Sequence, residues 1–269
     1  MQIYDTKVNY LTNPLGFRMD RTVFSWKVKD AKGTRQNAAR IRIASDTAMQ
    51  EILYDSGWEK EADSLSFPVK SDLKPRTRYY WTVAVESDAG EQETSDVQWF
   101  ETAKREEDWV GKWITCDSTE KQHPYFEKEI CPAAGKEVAK ARLYISGLGL
   151  YEAFYNGERI GNGWYKARFG FSAKEDVGFY GNEWKLIAEL HLEYADGTED
   201  VIGTDESWMV RRSTITFSNL YDGEHRDDTL ENVPVCHASL CEAPKGNLEE
   251  RMSLPVTVHE VVEPVGLIH

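Results

Sequence analysis

Short alternating segments, separated by turn-forming residues, constrain the fold of this chain more than any other feature. Apolar and polar residues alternate along Thr22–Val28 and along Ala39–Ala44, as in strands with one buried face. The clusters Asp55-Ser56-Gly57 and Ser87-Asp88-Ala89-Gly90 mark turns between such segments. Turn signals recur about every ten residues, and no long segment has a helical period. The pattern predicts an all-β chain of antiparallel β-sandwiches.

The second half of the chain repeats this pattern, which indicates two domains. Asn156-Gly157 is the strongest short hairpin signal, and an alternating run that begins at Leu186 ends at the turn pair Asp196-Gly197. A chain of 269 residues is long enough for two ordinary domains. The charged segment Ala103–Asp108 reads as a linker between them. We therefore predict one sandwich over residues 1–104, a second over 105–250, and the start of a further β-region over 251–269.

Net charge limits the classes of partner that this chain is expected to bind, and the cysteines bear on its cellular compartment. The formal net charge of −14 repels phosphate backbones and anionic lipids, so nucleic-acid and membrane-surface roles are not expected. No apolar run is long enough to span a bilayer, and the N-terminus shows no secretory signal. The four cysteines have no disulfide-scaffold or zinc-site spacing. We expect reduced, mostly buried thiols and a cytoplasmic location.

The first domain resembles a fibronectin type III domain. The resemblance rests on the alternating pattern Leu73-x-Pro75-x-Thr77-x-Tyr79-x-Trp81-x-Val83. In such domains a tyrosine at this corner hydrogen-bonds back to the preceding turn. Trp26, on an early strand, is expected in the core. The resemblance indicates a fold but no activity, because domains of this kind serve mostly as spacers and docking modules.

Five segments in the second domain resemble the N-terminal carbohydrate-module-like domain of bacterial α-L-rhamnosidases, glycoside hydrolase family 78. That domain is a jelly-roll, or galactose-binding-like, β-sandwich. The first segment follows the domain start at Trp109–Ile114. The five segments are Ala141–Tyr144 with Gly149-x-Tyr151-Glu152, Tyr155–Gly161, Gly163-Trp164-Tyr165, Asp205-x-x-Trp208, and Tyr221-Asp222-Gly223-Glu224-x-x-Asp227.

The resemblance implies a non-catalytic role for this chain. The acidic catalytic residues of the family lie in a downstream (α/α)6 barrel, so no catalytic residue is assigned here. The full-length enzyme would hydrolyse terminal α-L-rhamnosides. This region would brace or present the catalytic domain, with that domain and rhamnose-containing glycosides as partners. Two alternatives stay open: an autonomous carbohydrate-binding module for L-rhamnose-type sugars, and a protein-interaction scaffold.

One departure from the family lies at Gly161-Asn162, which runs directly into Gly163-Trp164-Tyr165. In the family several tens of residues separate the two motifs, including strands of the sandwich. We therefore expect an internal segment to be missing near residues 161–163. Either the protein carries a true deletion here, or the sequence omits residues that the protein contains. Loss of a core strand would expose apolar surface at a cost of several kcal/mol, which slightly favours the second alternative.

The candidate carbohydrate-binding residues surround this junction. They are Asn162, Trp164, Tyr165 and Arg168. Glycine lets a backbone approach a ligand closely, and tryptophan offers a flat face for a sugar ring. The alternative interpretation is a glycine-rich turn followed by core aromatic residues.

A second candidate site is the acidic cluster Asp222, Glu224 and Asp227, with His225 and Asp228 beside it. Paired carboxylates can exchange protons with a glycosidic oxygen, and clustered oxygens can bind Ca²⁺. Carboxylates on a turn are more often solvated. We therefore favour an interdomain or structural role over catalysis, with Ca²⁺ as the one possible cofactor.

Overall fold

The structure is a computed structural model that describes residues 1–116, 123–148, 150–160, 163–166, 184–219, 223–254, 256–257, 260–263 and 266. Every regular element within these ranges is a β-strand, which confirms the all-β prediction. None of the described residues forms a helix long and apolar enough to cross a membrane. The chain divides into two compact units. Unit 1 comprises Met1–Glu107 with Glu249–Ser253, and unit 2 comprises Asp108–Leu248 with Leu254–His269.

Unit 1 is a sandwich of two sheets. Its strands are β1 (Gln2–Val8), β2 (Leu15–Phe17), β3 (Thr22–Lys29), β4 (Gln36–Ala44), β5 (Ile52–Asp55), β6 (Phe67–Val69), β7 (Arg78–Ser87), β8 (Gln92–Thr94) and β9 (Gln98–Thr102). One sheet has the order β1-β3-β6. The other has the order β2-β9-β7-β4-β5, with β8 also paired to β7. All these pairings are antiparallel except that of β2 with β9.

Aromatic side chains fill the space between the two sheets of unit 1. Trp26 on β3 is buried, as its alternating pattern predicts. Phe24 meets the rings of Trp81 and Phe100 edge-on at centroid distances of 4.5 and 6.2 Å. Edge-to-face contacts of this kind add about 0.5–1.5 kcal/mol each beyond the burial of apolar area. The core of unit 1 therefore depends on residues that the strand pattern alone identifies.

The corner before β7 is fixed by the hydrogen bond that the fibronectin-like pattern predicts. The Tyr79 hydroxyl accepts a hydrogen bond from the Lys74 amide at 2.8 Å. The Tyr79 ring is buried and stacks on Phe100 with the centroids 5.3 Å apart. This tyrosine thus ties the turn to the core of the sandwich.

The chain around residue 104, at the start of the predicted linker, is part of unit 1. Ala103 and Lys104 are buried, and Arg105 donates a hydrogen bond to the Leu73 carbonyl at 2.6 Å. The later segment Glu249–Ser253 also belongs to unit 1, where the Arg18 amide donates to the Arg251 carbonyl at 2.9 Å. Unit 1 therefore contains residues from two distant stretches of sequence, which a reading along the chain does not detect.

Unit 2 contains several smaller sheets. Its strands are β10 (Ile114–Thr115), β11 (Tyr125–Glu127), β12 (Val138–Gly147), β13 (Leu150–Tyr151), β14 (Phe154–Tyr155), β15 (Glu158–Arg159), β16 (Gly163–Lys166), β17 (Leu186–Tyr194), β18 (Glu199–Gly203), β19 (Met209–Arg211), β20 (Ile215–Asn219), β21 (Gly223–Arg226), β22 (Pro234–His237), β23 (Ser239–Leu240) and β24 (Val256–Thr257).

The main sheet of unit 2 has the order β12-β17-β10-β23, and β18 also pairs with β17. A second sheet has the order β11-β19-β22, and a third has the order β13-β16-β24. Ile114, Val210 and Ala238 form a small buried core cluster. The main sheet is central to the site described below, because β17 is paired along both edges.

The two turn pairs of the second half have the backbone conformation that the sequence indicates. Asn156 and Gly157 have φ of 49° and 82°, and they join β14 to β15. Positive φ at both positions is the requirement of a two-residue hairpin turn of type I′. Gly197, with φ of 83°, ends the turn between β17 and β18.

Candidate functional site

The predicted carbohydrate-binding residues fall partly outside the described part of the chain. Asn162 and Arg168 lie outside the described residues. Trp164 and Tyr165 lie on β16, where Tyr165 pairs with Tyr151 and Trp164 pairs with Val256. The backbone around Trp164 and Tyr165 is thus that of a paired strand and not of an open loop. The assignment of these four residues to sugar binding stays a prediction.

The predicted acidic cluster lies on a hairpin formed by β20 and β21. Glu224 lies on β21 and Asp227 follows it, and both side chains are exposed; Asp222 lies outside the described residues. Asp227 accepts hydrogen bonds from the amide and the hydroxyl of Thr229 at 2.9 and 2.6 Å, and these bonds lower the pKa of its carboxyl group. Asp227 therefore caps its own turn.

Within the described ranges, no group of three or more His, Cys, Asp or Glu side chains is arranged so that it could hold a metal ion. The possible role of Ca²⁺ at the acidic cluster stays a prediction, as does its interdomain role. The cysteines are free thiols: Cys131 is exposed, and Cys116, Cys236 and Cys241 are half-buried. The expectation that they are mostly buried was therefore too strong.

A hairpin projects from unit 2 with exposed side chains throughout Phe154–Ile160. We call residues 152–160, which include β14 and β15, the finger. Phe154 and Tyr155 are 51% and 60% exposed, and Ile160 is also exposed. Arg159 and Glu152 form an ion pair at 3.1 Å across the base of the finger. A two-stranded hairpin with both faces in water is at best marginally stable, so its apolar side chains indicate a contact surface.

Three ionisable side chains, two of them buried and one exposed, form a cluster on the main sheet of unit 2. Glu189 and His191 alternate on β17 and share one face of the strand, and Glu199 lies diagonally across on β18. The His191 Nε2 lies 2.8 Å from Glu189 Oε1, and its Nδ1 lies 2.6 Å from Glu199 Oε1. Glu189 is 0% exposed and His191 is also buried. We call these three residues the imidazole cluster.

The neighbouring strand β12 places further polar groups against the imidazole cluster. The Tyr144 ring meets the His191 ring edge-on with the centroids 5.2 Å apart, and Arg142 lies opposite His191 in the strand register. Each imidazole nitrogen lies within hydrogen-bond distance of one carboxylate oxygen. Because Glu189 and His191 are buried, loss of either partner is costly.

Glu189 also fixes the start of unit 2. Its Oε2 accepts hydrogen bonds from the amides of Val110 and Gly111 at 2.8 and 3.4 Å. A Cβ atom at Gly111 would lie 2.3 Å from the Ala188 carbonyl oxygen, and one at Gly203 would lie 2.6 Å from the Gly111 backbone. The glycine of Trp109–Ile114 is therefore required because the entering chain lies directly against β17 and β18.

Sequence reasoning missed the imidazole cluster. Glu189, His191 and Glu193 occupy the polar positions of an alternating strand, which ordinarily indicates a solvated face. Two signals were available in the sequence. One is the alternation of glutamate and histidine along β17, and the other is the glycine in the domain start Trp109–Ile114. Through hydrogen bonds the cluster joins β17, β18 and the start of the domain. Its geometry supports an architectural role.

Unit 1 contains a cleft between β4–β5 and the segment 70–77. Its volume is about 500 Å³. The side chains of Ile43, Leu73 and Tyr79 line it and are buried, and Leu53 is exposed beside it. Lys70, Ser71, Asp72 and Lys74 supply polar and charged groups along the opposite side. No sequence pattern indicated this cleft.

Fold and site together define a protein region of two consecutive β-sandwich domains. The first matches the family of Rha78A-like, N-terminal immunoglobulin domains over residues 3–106. The second matches the α-L-rhamnosidase N-terminal domain over residues 136–162 and 159–260. The chain belongs to the N-terminal region of the α-L-rhamnosidase family.

Curated relatives of this chain are α-L-rhamnosidases by name. An α-L-rhamnosidase of Formosa agariphila is 28% identical over 83% of this chain and 31% of its own length. One from Alteromonas sp. is 25% identical over 81% of this chain and 30% of its own length. A third, from Streptomyces avermitilis, is 34% identical over 47% of this chain. The chain thus spans about a third of the length of the first two relatives.

Solved structures support the same fold. The α-L-rhamnosidase of Dictyoglumus thermophilum superposes with a TM-score of 0.75 and 26% identity, over 90% of this chain and 34% of that one. The enzyme of Aspergillus terreus superposes with a TM-score of 0.71 at 22% identity, over 91% of this chain and 34% of that one. The second likeness concerns the fold alone.

The match to the family is interrupted near the junction that the sequence singles out, and the alignment to a relative contains gaps in this chain. The match to the α-L-rhamnosidase N-terminal domain comes in two pieces that meet at residues 159–162. The alignment to the Formosa relative has 294 positions, but the 83% of this chain that it covers is about 223 residues. About 70 positions of that relative therefore face gaps in this chain.

Proposed function

We propose that this chain is a non-catalytic N-terminal part of an α-L-rhamnosidase that braces or presents a downstream catalytic domain. The observation that carries the proposal is the match of both domains to regions that make up about a third of α-L-rhamnosidases. The full-length enzyme would hydrolyse terminal α-L-rhamnosides, and rhamnose-containing glycosides would be its substrates. We also propose a cytoplasmic location.

The environment of the buried acids supports a non-catalytic role. Glycoside hydrolysis needs two carboxyl groups on either side of a substrate. In the described residues the two buried glutamates are both engaged internally. Glu101 pairs with Arg78 at 2.8 Å, and Glu189 belongs to the imidazole cluster. Neither glutamate lines the unit 1 cleft.

The finger supports a bracing role. Phe154 and Tyr155 are aromatic and more than half exposed, and aromatic residues are enriched at the buried centres of protein interfaces. Within the proposal, the finger is covered by the downstream part of the same polypeptide. An apolar hairpin held by an ion pair at its base has the features of such a contact.

An activity assay tests the non-catalytic role. We expect purified chain 1–269 to release no aryl alcohol from an aryl α-L-rhamnoside, while the full-length polypeptide from the natural gene does. Turnover that follows the purified chain through a second purification would contradict the proposal.

Substitutions in the finger test the bracing role. In the full-length polypeptide, Phe154→Ser and Tyr155→Ser are expected to lower the melting temperature of the catalytic part. Tyr10→Ser serves as the matched control, since Tyr10 is an exposed tyrosine of unit 1. Equal melting temperatures for all three variants would show that the finger makes no stabilising contact with the downstream part of the polypeptide.

A carbohydrate-binding module is the second candidate function, favoured by the aromatic pair Trp164 and Tyr165 on β16 beside the finger. Calorimetric titration of chain 1–269 with L-rhamnose, with and without Ca²⁺, separates the two functions. Saturable heat that Trp164→Ala abolishes would favour the binding module. Absence of heat at millimolar sugar would favour the bracing role.

We also infer that the second sandwich lacks an internal segment near residues 161–163. The interrupted match to the family and the gaps in the alignment to a relative support this inference. Intact mass spectrometry tests this inference. The sample is a fragment expressed from the natural gene that begins and ends at the same residues as chain 1–269. A mass near 30.8 kDa supports the deletion, whereas several kDa more would contradict it.

A further inference from the structure

The cleft of unit 1 is large enough for a small ligand. Its volume of about 500 Å³ lies within the range of about 300–1,000 Å³ for small-molecule sites. The buried side chains of Ile43, Leu73 and Tyr79 give it an apolar floor. These residues belong to the sandwich core and the tyrosine corner, so the floor is rigid.

One wall of the cleft offers an apolar face to a ring. Leu53 on β5 is 59% exposed, and the adjoining Tyr54 is half-buried. Both side chains line the cleft. Aromatic and aliphatic groups of this kind pack on the C–H face of a sugar ring while leaving its hydroxyls to polar partners.

Two hydroxyl groups in the cleft have no hydrogen-bond partner among the described residues. The Ser71 Oγ is buried and unpartnered, and the Tyr54 hydroxyl makes no hydrogen bond either. Burial raises the pKa of Tyr54, and nearby Glu59 and Asp55 add to the effect, so the phenol keeps its proton. A buried hydroxyl without a partner is costly, and a ligand that bonds to it removes that cost.

The other uncharged polar groups in the cleft are already engaged. Ser45 donates to Glu51 at 2.6 Å, and Thr77 donates to the Pro75 carbonyl at 2.7 Å. The Tyr79 hydroxyl accepts the amide of the tyrosine corner. The unpartnered hydroxyls of Ser71 and Tyr54 therefore stand out from a cleft that is otherwise satisfied.

The charged residues that line the cleft are two lysines and one aspartate, while Glu51, Asp55 and Glu59 lie beside Ser45 and Tyr54 on the β5 side. Lys70 and Lys74 are exposed, and neither forms an ion pair within the described ranges. Asp72 lies between them in sequence and is also exposed. A carboxylate is attracted to the two lysines, and a carboxylate acceptor such as Asp72 can receive sugar hydroxyls.

We propose that the unit 1 cleft binds a hexuronate-type sugar acid. Its carboxylate lies between Lys70 and Lys74. Its hydroxyls bond to Ser71, Tyr54 and Asp72. Its C–H face packs on Leu53 and the Tyr54 ring. The proposal concerns unit 1 alone and is independent of the function proposed above.

Calorimetric titration of chain 1–269 with D-galacturonate tests the proposal. D-Galactose is the matched neutral control, because it has the same ring hydroxyls without the carboxylate. We expect saturable binding of galacturonate at millimolar concentrations and at least tenfold weaker binding of galactose. Equal affinity for both sugars, or no binding of galacturonate at about 20 mM, overturns the proposal.

Substitutions then locate the site. Lys70→Gln and Lys74→Gln are each expected to weaken galacturonate binding about threefold to fivefold, as for partly exposed ion pairs. Lys60→Gln, an exposed lysine of unit 1 that does not line the cleft, is expected to leave it unchanged. Equal losses in all three variants would show diffuse charge attraction and refute the site.

Ser71→Ala separates binding from folding. Removing an unpartnered buried hydroxyl is expected to keep or raise the melting temperature of unit 1 while it weakens galacturonate binding. A merely structural role for Ser71 would lower both quantities together. Unchanged affinity in this variant would show that the hydroxyl does not meet the ligand.

Discussion

Replacement of Glu189 by alanine is expected to destabilise unit 2 strongly. The side chain is fully buried on β17, and it accepts from the Val110 amide at 2.8 Å while its other oxygen lies 2.8 Å from His191. Removal of the carboxylate leaves the buried His191 Nε2 without its partner, which costs about 1–3 kcal/mol. An amide donor left without its acceptor costs about 1–3 kcal/mol when it stays buried. We expect a loss of about 2–5 kcal/mol in the free energy of unfolding of unit 2, since the two effects overlap.

Two companion variants define what the loss means. Glu193→Ala is the matched control, because Glu193 shares the face of β17 but is partly exposed and pairs with Lys140 at 2.7 Å. That pair is expected to contribute at most about 1 kcal/mol. Glu189→Gln keeps an oxygen that can accept from the Val110 amide. Its loss in the free energy of unfolding is expected to lie between those of Glu189→Ala and Glu193→Ala.

Urea-induced unfolding followed by tryptophan fluorescence measures the change for each unit. Hydrogen exchange at the Val110 and Gly111 amides adds a local readout, because Glu189→Ala is expected to release both. A loss for Glu189→Ala no larger than that for Glu193→Ala would refute the account of the imidazole cluster. Unchanged exchange at residues 110–111 would refute the link to the start of the domain.

Three further predictions concern single positions. Gly111→Ala is expected to cost about 1–3 kcal/mol in unit 2, because the added Cβ meets the Ala188 carbonyl oxygen; urea unfolding checks it, with Gly266→Ala as a control where the added Cβ meets open space. Tyr79→Phe is expected to cost unit 1 about 1 kcal/mol by removing the acceptor of the corner hydrogen bond, and an unchanged melting curve would contradict this. Burial raises the pKa of the Glu250 carboxyl group in the folded state. The contribution of this group to the stability of unit 1 is therefore fully present below its unfolded-state pKa, and it is lost as the pH rises through the folded-state pKa. Glu250→Gln is therefore expected to raise the melting temperature of unit 1 at neutral pH and to flatten its fall between mildly acidic and neutral pH; a lower melting temperature would contradict the sign.

The sequence predicted those parts of the fold that short-range patterns determine. Alternation identified the buried face that carries Trp26, and the corner pattern identified the bond made by Tyr79. The pair Asn156-Gly157 predicted its turn, because few other residues adopt positive φ at two consecutive positions. In each case the physical cause lies within a few residues of the signal.

Features that depend on distant segments could not be predicted. Glu189 reads as a solvated residue until the chain at Val110 covers it, and Lys104 reads as a linker residue until unit 1 buries it. The cleft beside Ser71 is likewise formed by strands and a segment far apart in sequence. Its two unpartnered hydroxyls have no local sequence signature at all.

The activity of chain 1–269 on an aryl α-L-rhamnoside tests the central claim most directly. The assay compares the chain with the full-length polypeptide at equal molar concentration. We predict turnover by the full-length polypeptide and none by the chain above a heat-denatured control. Turnover by the chain that coelutes with it on size exclusion would contradict a non-catalytic N-terminal region.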